Sequence, residues 1–545
     1  MEAHYPKYVL YGLLILGSWL LSSLLHFQFF HLSLSSSSFA APRRSAALVV
    51  LPAVLDAKSF LPPPAVEAED RRPRSSSSSS PPPPPPSPKC EGRYVYMVDV
   101  PERFNMLKDC VEGSPLFDDI WSWCAITVNG GLGPKITGND TGIIPSTGWY
   151  VSSHDHPWWY IFGLCEMESY STDQYALEVI FHHRMPRYDC LTGDPSTATA
   201  VYVPYYPALE LHRHLCGHNA SVRDTPSQEF LRWLSSQPSW AALGGRDHFI
   251  VTAKTSWMFR REPGGPDEWC GNNFLNQPAS RNMTALTYES NVWQRRDFAV
   301  PYPSYFHPSS AAEVAAWQDR ARGARRPYLM AFAGARRARG QLAIRDKVFE
   351  VCETAKQRNG RCGMLDCSHG IEGATTCRTA ERLMNLFASA KFCLQPRGDS
   401  FMRRSSIDSV MAGCVPVFFH RASTLRLQYR WHEPEPGVVS DGDDRRKRYY
   451  VLFNPDDVVS GKVDVEEVLS RYSDDQVAAM REEVVRMIPR FLYKDPTVPF
   501  DGEMDDAFDI AMDRVMERMR RIKTGETLEW KDDESDQPVV LPTDS

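Results

Sequence analysis

The string KFCLQPRGDSFMRRSSIDSVMAGCVPVFF, residues 391–419, carries the most concentrated chemistry in the chain. It reads as a strand, a glycine-containing loop at PRGDS, a helix from about Phe401 to Ala412, a helix-ending Gly413 and a second strand. Backbone N–H groups at a helix start are unpaired donors at the positive end of the helix dipole, and together they bind anions. Arg403 and Arg404 add full charges there. A guanidinium–phosphate hydrogen bond contributes roughly 1.5–3 kcal/mol, against at most about 1 kcal/mol from the dipole. Asp408, one turn beyond Arg404, offers a carboxylate that accepts from ribose hydroxyls. The pattern fits a nucleotide-diphosphate cradle. Two arginines and an aspartate at this spacing also make an ordinary surface ion pair, so the string is weighed with its surroundings. The chain contains neither G-x-x-x-x-G-K-[ST] nor G-x-G-x-x-G, which disfavours kinase, ATPase and dehydrogenase chemistry and leaves nucleotide-sugar transfer.

Such a cradle needs a sheet to hold it. From Tyr328 onward the segments YLMAFAG, CGMLDCS, KFCLQP, CVPVFFH and YYVLFN are β-rich runs separated by helical or turn sequence, as in a doubly wound parallel sheet. Ligands of such sheets sit outside the carboxyl ends of the strands, which directs attention to the loops after Gly334 and Pro396. Upstream, CEGRYVYMVDVP, TATAVYVPYY and GRDHFIVTAK read as strands, alternating with the helical STDQYALEVIFHHRM and SQEFLRWLSSQ. Ser171 and Gln174 have capping-box spacing, as do Ser473 and Gln476. The stretch 310–326 reads as a helix leading from one lobe to the next. The expected fold class is α/β with two Rossmann-like lobes, 90–325 and 326–523, and 545 residues exceed what one core organises.

Composition bounds the partners. The net charge of −7 provides no basic field for nucleic acid, so neutral substrates are expected. The uncharged YVLYGLLILGSWLLSSLLHFQFFHL is long enough to span a bilayer and exceeds the usual signal-peptide core, so residues 1–32 read as a short tail and signal anchor rather than a cleaved leader. Residues 33–89 end in RRPRSSSSSSPPPPPPSPK, a Ser/Pro-rich stem that cannot pack a core. Residues 524–545 read as an acidic, disordered tail. Sequons at Asn139, Asn219 and Asn282 and thirteen cysteines suit a secretory lumen. Cys352, Cys362, Cys367 and Cys377 lack the short C-x2-C pairs of zinc sites and read as disulfides.

The blocks CEGRYVYMVDVPERFN, TDQYALEVIFHHRMPRYDCLTGDPSTATAVYVPYY, GRDHFIV and FCLQPRGDSFMRRSSIDSVMAGCVPVFFH, in that order over about 90 to 520, resemble glycosyltransferase family 47, the exostosin-like enzymes, and within it the plant xyloglucan galactosyltransferase clade. The resemblance implies a GT-B fold with an interlobe cleft, inversion at the anomeric carbon, a UDP-sugar donor with no obligatory metal and no cofactor, and galactosyl transfer to xylosyl side chains of xyloglucan. It further implies a single-pass type II protein of the Golgi membrane with its catalytic body lumenal, possessing other wall glycosyltransferases as candidate partners. Galacturonic acid, arabinose or xylose as donor sugar, another wall acceptor, and a non-catalytic glycan-binding or scaffold role stay open. One departure stands out: PRGDSFM places Arg397 where clade members carry an apolar residue, adding a cation suited to a uronate carboxylate.

Carried over residue by residue, the likeness makes Arg403, Arg404 and Asp408 donor contacts, supported by Gly398 and Gly413, with Arg345 a further diphosphate candidate. An inverting transferase also needs one base for the acceptor hydroxyl. Asp247 and His248, beside the apolar run of GRDHFIV, are the candidates, ahead of His182, His183 and His307. The alternative for this pair is a core histidine and a loop cap. Trp149, Tyr150, Trp158, Trp159 and Tyr160 offer stacking faces for a glucan or core packing. The D-x-D of Asp441 and Asp443, inside DGDDRRKR, reads as a solvated loop rather than a metal site.

Overall fold

The computed structural model describes residues 90–108, 110, 123–136, 169–213, 219–262, 270–290, 296–336, 343–368, 373, 376–377, 379–433 and 449–526. The expected membrane span, the stem, Asn139, the aromatic run at 149–160, the D-x-D at 441–443 and the tail beyond 526 lie outside these residues. Among the described residues no helix is long and apolar enough to cross a membrane.

The first sheet is wholly parallel, in the order β2-β1-β3-β4-β5-β6. Its strands are β1 (Val95–Met97), β2 (Leu191–Thr192), β3 (Ala200–Val203), β4 (His248–Thr252), β5 (Thr284–Thr287) and β6 (Asp297–Ala299). Every residue of β3, β4 and β5 is buried, since helices cover both faces of a parallel sheet and the strands become continuous apolar runs. Three of the strands coincide with expected runs. TALT and DFA, which form β5 and β6, are too short to announce themselves by alternation.

The helix α1 (Leu177–Arg184) precedes β2, and α2 (Ala220–Ser235) links β3 to β4. The expected cap at Ser171 is not there. The α1 helix begins only at Leu177, without a side-chain cap, because Ser171 N–H is drawn to Pro134 O and Asp173 Oδ1 instead receives Tyr175 N–H.

The α3 helix (Ala311–Gly323), capped by Ser310 Oγ on Glu313 N–H at 3.2 Å, leads to the second sheet. That sheet comprises β7 (Tyr328–Gly334), β8 (Cys362–Asp366), β9 (Ala390–Gln395), β10 (Val415–Phe418) and β11 (Val451–Leu452), again parallel, in the order β11-β10-β9-β7-β8. All five expected segments contain these strands. The order reverses between β7 and β9, and there the carboxyl ends of neighbouring strands open a crevice. In the first sheet the reversal falls between β1 and β3.

Helices α4 (Ala343–Asn359), α5 (Ala380–Ala388) and α6 (Arg404–Met411) connect these strands, followed by α7 (Asp474–Phe491) and α8 (Ala507–Lys523). The α6 helix starts later than the expected Phe401, because Met402 N–H is bonded to Glu289 Oε2 of the first lobe at 2.9 Å and the preceding residues form a loop. The capping box of Ser473 and Gln476 starts α7 as expected. The last helix returns to the first lobe. Arg184 pairs with Asp506 at 2.9 Å, Arg518 Nε donates to Thr284 Oγ1 and Lys523 Nζ to Ala198 O. The first lobe is therefore completed by chain from beyond 325.

The four cysteines read as disulfides pair as Cys352–Cys362 and Cys367–Cys377, alongside Cys90–Cys190, Cys110–Cys124 and Cys393–Cys414. Cys393–Cys414 fastens β9 to the start of β10, at the base of the PRGDS loop.

Candidate active site

The β7/β9 crevice is lined by cations. Arg345, in the first turn of α4, donates through Nε to Ala335 O at 2.8 Å, just past β7, and through Nη1 to Pro396 O at 3.5 Å, just past β9. Gly334 admits it: a Cβ there would lie 2.5 Å from Arg345 Nη2. Arg403, at the N-cap of α6, folds back over the loop and donates to Asp399 Oδ1 at 2.9 Å. A Cβ on Gly398 would sit 1.4 Å from Arg403 Nη2, so the bare backbone is what lets this guanidinium settle. Gly413, with φ of +63°, ends α6 in the left-handed conformation that glycine tolerates, against Ala321 of α3.

Arg404 crosses between lobes. Its Nη1 donates to Thr172 O at 2.6 Å, and its guanidinium lies 3.8 Å from the Tyr305 ring centroid. Burial opposes its charge, while Tyr305, Asp408 and Asp173 hold it cationic. Asp408 is fully buried; Oδ1 accepts from Ser304 Oγ at 2.7 Å and lies 3.7 Å from Arg404 Nε. It braces Arg404 through Oδ1, while its Oδ2 is buried without a hydrogen-bond partner.

Several buried donors in this group have no hydrogen-bond partner: Arg403 Nε, Arg404 Nε, Arg404 Nη2 and Gln395 Nε2. Gln395 ends β9, and its Oε1 accepts from Ser405 Oγ of α6 at 2.7 Å. A buried unsatisfied donor costs about 1–3 kcal/mol. A cluster of them at a helix start is stabilised by an anion. Among the described residues no group of three or more His, Cys, Asp and Glu is disposed to hold a metal ion.

The facing edge of the first lobe holds ionisable groups that sequence reasoning missed. Glu178 of α1 is buried; its Oε1 accepts from Ala208 N–H at 2.8 Å and Ala253 N–H at 2.9 Å, tying together the loops after β3 and β4. Burial pushes its carboxyl up to about 8, although these N–H groups and Lys254 oppose the rise. Lys254, just past β4, rests 3.7 Å from the Tyr175 ring centroid. Burial lowers its ammonium to about 8, against the pull of Glu178 and Asp173. Glu289, past β5, holds Met402 N–H, and burial raises its carboxyl. The available signals were a lone carboxylate inside ALEVIF and a lone lysine ending HFIVTAK.

The histidines fall elsewhere. Asp247 and His248 lie at the amino end of β4, opposite the carboxyl edge where ligands of parallel sheets sit. His248 is fully buried, donates from Nδ1 to Asp247 Oδ1 at 2.8 Å, and packs edge-on against Trp240. The pair is a core histidine with its cap, and the assignment of either as catalytic base is corrected accordingly. His307 is buried between Thr172 Oγ1, Ser304 O and Tyr493 O, and burial keeps it neutral by lowering it to about 4. It positions the Thr172 loop. His182 bonds Tyr206 OH, and His183 bonds Val179 O. Of the two sequon asparagines that are described, both Asn219 and Asn282 are exposed.

The Exostosin GT47 domain matches residues 89–467. Xyloglucan galactosyltransferase MUR3 of Arabidopsis thaliana is 38% identical over 441 residues, covering 80% of this chain and 64% of that protein. This chain thus spans somewhat less than two thirds of that relative's length. Probable xyloglucan galactosyltransferase GT15 of the same plant is 38% identical over 445 residues, with 80% and 84% covered. Xyloglucan-specific galacturonosyltransferase 1, also from Arabidopsis thaliana, is 32% identical over 436 residues, covering 79% and 58%. A solved structure of WaaG, a glycosyltransferase involved in lipopolysaccharide biosynthesis, aligns with 55% of this chain and 88% of that chain at 10% identity, with a TM-score of 0.27.

Proposed function

Since this chain belongs to the Exostosin GT47 family, we propose that it is an inverting glycosyltransferase that moves galactose from UDP-galactose to xylosyl side chains of xyloglucan. The names borne by its relatives support the sugar and the acceptor. The observation that carries the site assignment is the group of unpartnered buried donors on Gln395, Arg403 and Arg404 beside Arg345, at the strand-order reversal of the second sheet.

The two parallel sheets act as the lobes of a GT-B enzyme, the second taking the nucleotide and the first the acceptor. The diphosphate lies against the start of α6, where Arg403, Arg404 and Arg345 neutralise the charge that grows as the glycosidic bond breaks. Preorganised donors of this kind contribute about 2.7–4 kcal/mol each to transition-state stabilisation. Cations of the protein serve the role that a metal fills in other transferases. Asp408 and the Tyr305 ring keep Arg404 charged and oriented, while Glu289 fixes the loop ahead of Arg403.

The apolar stretch near the N-terminus, the Ser/Pro-rich stem, the sequons and the disulfides support placement as a type II protein of the Golgi membrane with the catalytic body in the lumen. An extended proline stem suits an enzyme working on a bulky polymer beside other wall transferases of the same membrane. The test is release of UDP by the full-length chain from a panel of UDP-sugars, with and without xyloglucan and EDTA. Acceptor-dependent, EDTA-resistant release with UDP-galactose is expected. Release confined to another UDP-sugar overturns the donor, and silence with every acceptor overturns catalysis.

A further inference from the structure

We propose that Asp173 is the general base that takes the proton from the attacking acceptor hydroxyl. The inference rests on the glycosyl-transfer reading above and assigns a role that Asp247 and His248 are placed too far round the sheet to fill.

Its position carries the argument. Asp173 precedes α1 at the carboxyl edge of the first sheet, next to Thr172, whose carbonyl receives the Arg404 guanidinium from the second lobe at 2.6 Å. Successive Cα atoms are about 3.8 Å apart, so the carboxylate is held beside the diphosphate-binding arginine while belonging to the acceptor-side lobe. The Asp173 side chain is half-buried, and Oδ1 is fixed by Tyr175 N–H at 2.7 Å. Among the described residues Oδ2 has no hydrogen-bond partner. The carboxylate is also within electrostatic reach of both Lys254 and Arg404.

Four other described carboxylates near Arg404 already have protein partners, Asp408 through Oδ1 alone. Glu178 is buried on backbone N–H groups, Glu289 is buried on Met402 N–H, Asp408 is buried on Ser304, and Asp399 pairs with Arg403 on the donor loop. Asp99, exposed past β1, is another described carboxylate at the edge of the first sheet and serves as the comparison.

In the step, the acceptor oxygen bonds to the anomeric carbon on the face opposite the diphosphate. The bond from that carbon to the diphosphate oxygen breaks, and its electron pair leaves on UDP. The hydroxyl proton passes to Asp173 Oδ2 and thence to solvent.

Asp173→Asn, made in the full-length chain, is expected to lower kcat by about 10²–10⁴-fold, the range of a general base. KM for the donor and the calorimetric Kd for UDP should stay within about threefold, which also reports that the variant is folded, and the acidic limb of the kcat profile should vanish. Asp173→Glu should recover part of the rate. A kcat within about fivefold of the parent, or a loss of turnover on Asp99→Asn instead, overturns the assignment. If the chain uses a UDP-sugar other than UDP-galactose, the same comparison is made with that sugar, so an error about the donor does not pass for an error about the base.

Discussion

One strand carries buried ionisable groups at both ends, and the two ends have different fates. At the amino end of β4, His248 Nδ1 donates to Asp247 Oδ1 and the imidazole packs edge-on against Trp240, its Nε2 buried without a partner. Just past the carboxyl end, Lys254 lies between Glu178, Asp173 and the Tyr175 ring, facing the lobe that carries Arg404. Both ends are buried and both bear charge, so neither burial nor residue type separates them. Strand direction does: in a parallel sheet the carboxyl ends open toward a crevice, whereas the amino ends are closed by the entering chain. A reactive-looking pair in a sequence acquires or loses function according to which end of its strand it occupies.

Breaking the carboxyl end gives the larger effect. Glu178→Ala orphans the Ala208 and Ala253 N–H groups, at about 1–3 kcal/mol each, so denaturant unfolding should show a loss of roughly 2–6 kcal/mol. Glu178→Gln, whose amide oxygen still accepts both bonds, should be tolerated near neutral pH. It should also change the pH dependence. A carboxyl raised from 4.5 to about 8 binds its proton more tightly in the folded state, so its contribution to stability is present below pH 4.5 and is lost as pH rises toward 8. Thermal melts of the parent should carry this falling component, and melts of Glu178→Gln should lack it. An equal slope in both proteins contradicts a buried, protonated Glu178. Lys254 adds nothing to the slope in that window, because below about 8 it is protonated in both states.

The amino end should yield the smaller effect. His248→Gln removes one hydrogen bond and an edge-on aromatic contact, worth about 1–2 kcal/mol of stability, and should leave kcat/KM within about threefold. A loss of turnover beyond a hundredfold, with UDP affinity intact, would return catalysis to this end and undo the comparison.

The second lobe was readily legible in the sequence, because its strands are continuous apolar runs and its glycines mark turns. The PRGDS loop, Arg403, Arg404 and the helix-ending Gly413 were found in their expected order, and Arg345 proved to bridge the ends of β7 and β9. The later start of α6 was not legible, because it depends on Glu289 from the other lobe claiming Met402 N–H. Burial of Asp408 was hidden for the same reason: Ser304 and Tyr305 pack over that helix from a distant stretch of chain. In the first lobe TALT and DFA were too brief to show as strands. Glu178 escaped notice inside an apolar helix, where its partners are backbone groups that no side-chain pattern reveals. The misplaced base had a single cause. GRDHFIV identifies a strand but does not state which of its ends faces the cleft.

In the proposed site Arg404 holds the nucleotide diphosphate at the start of α6. Calorimetric titration of UDP into the full-length chain and into Arg404→Ala, both in EDTA, tests this most directly. Loss of one or two charge-assisted hydrogen bonds predicts a Kd weakened by roughly ten- to a thousandfold. A Kd unchanged by the substitution would place the nucleotide elsewhere than at Arg404.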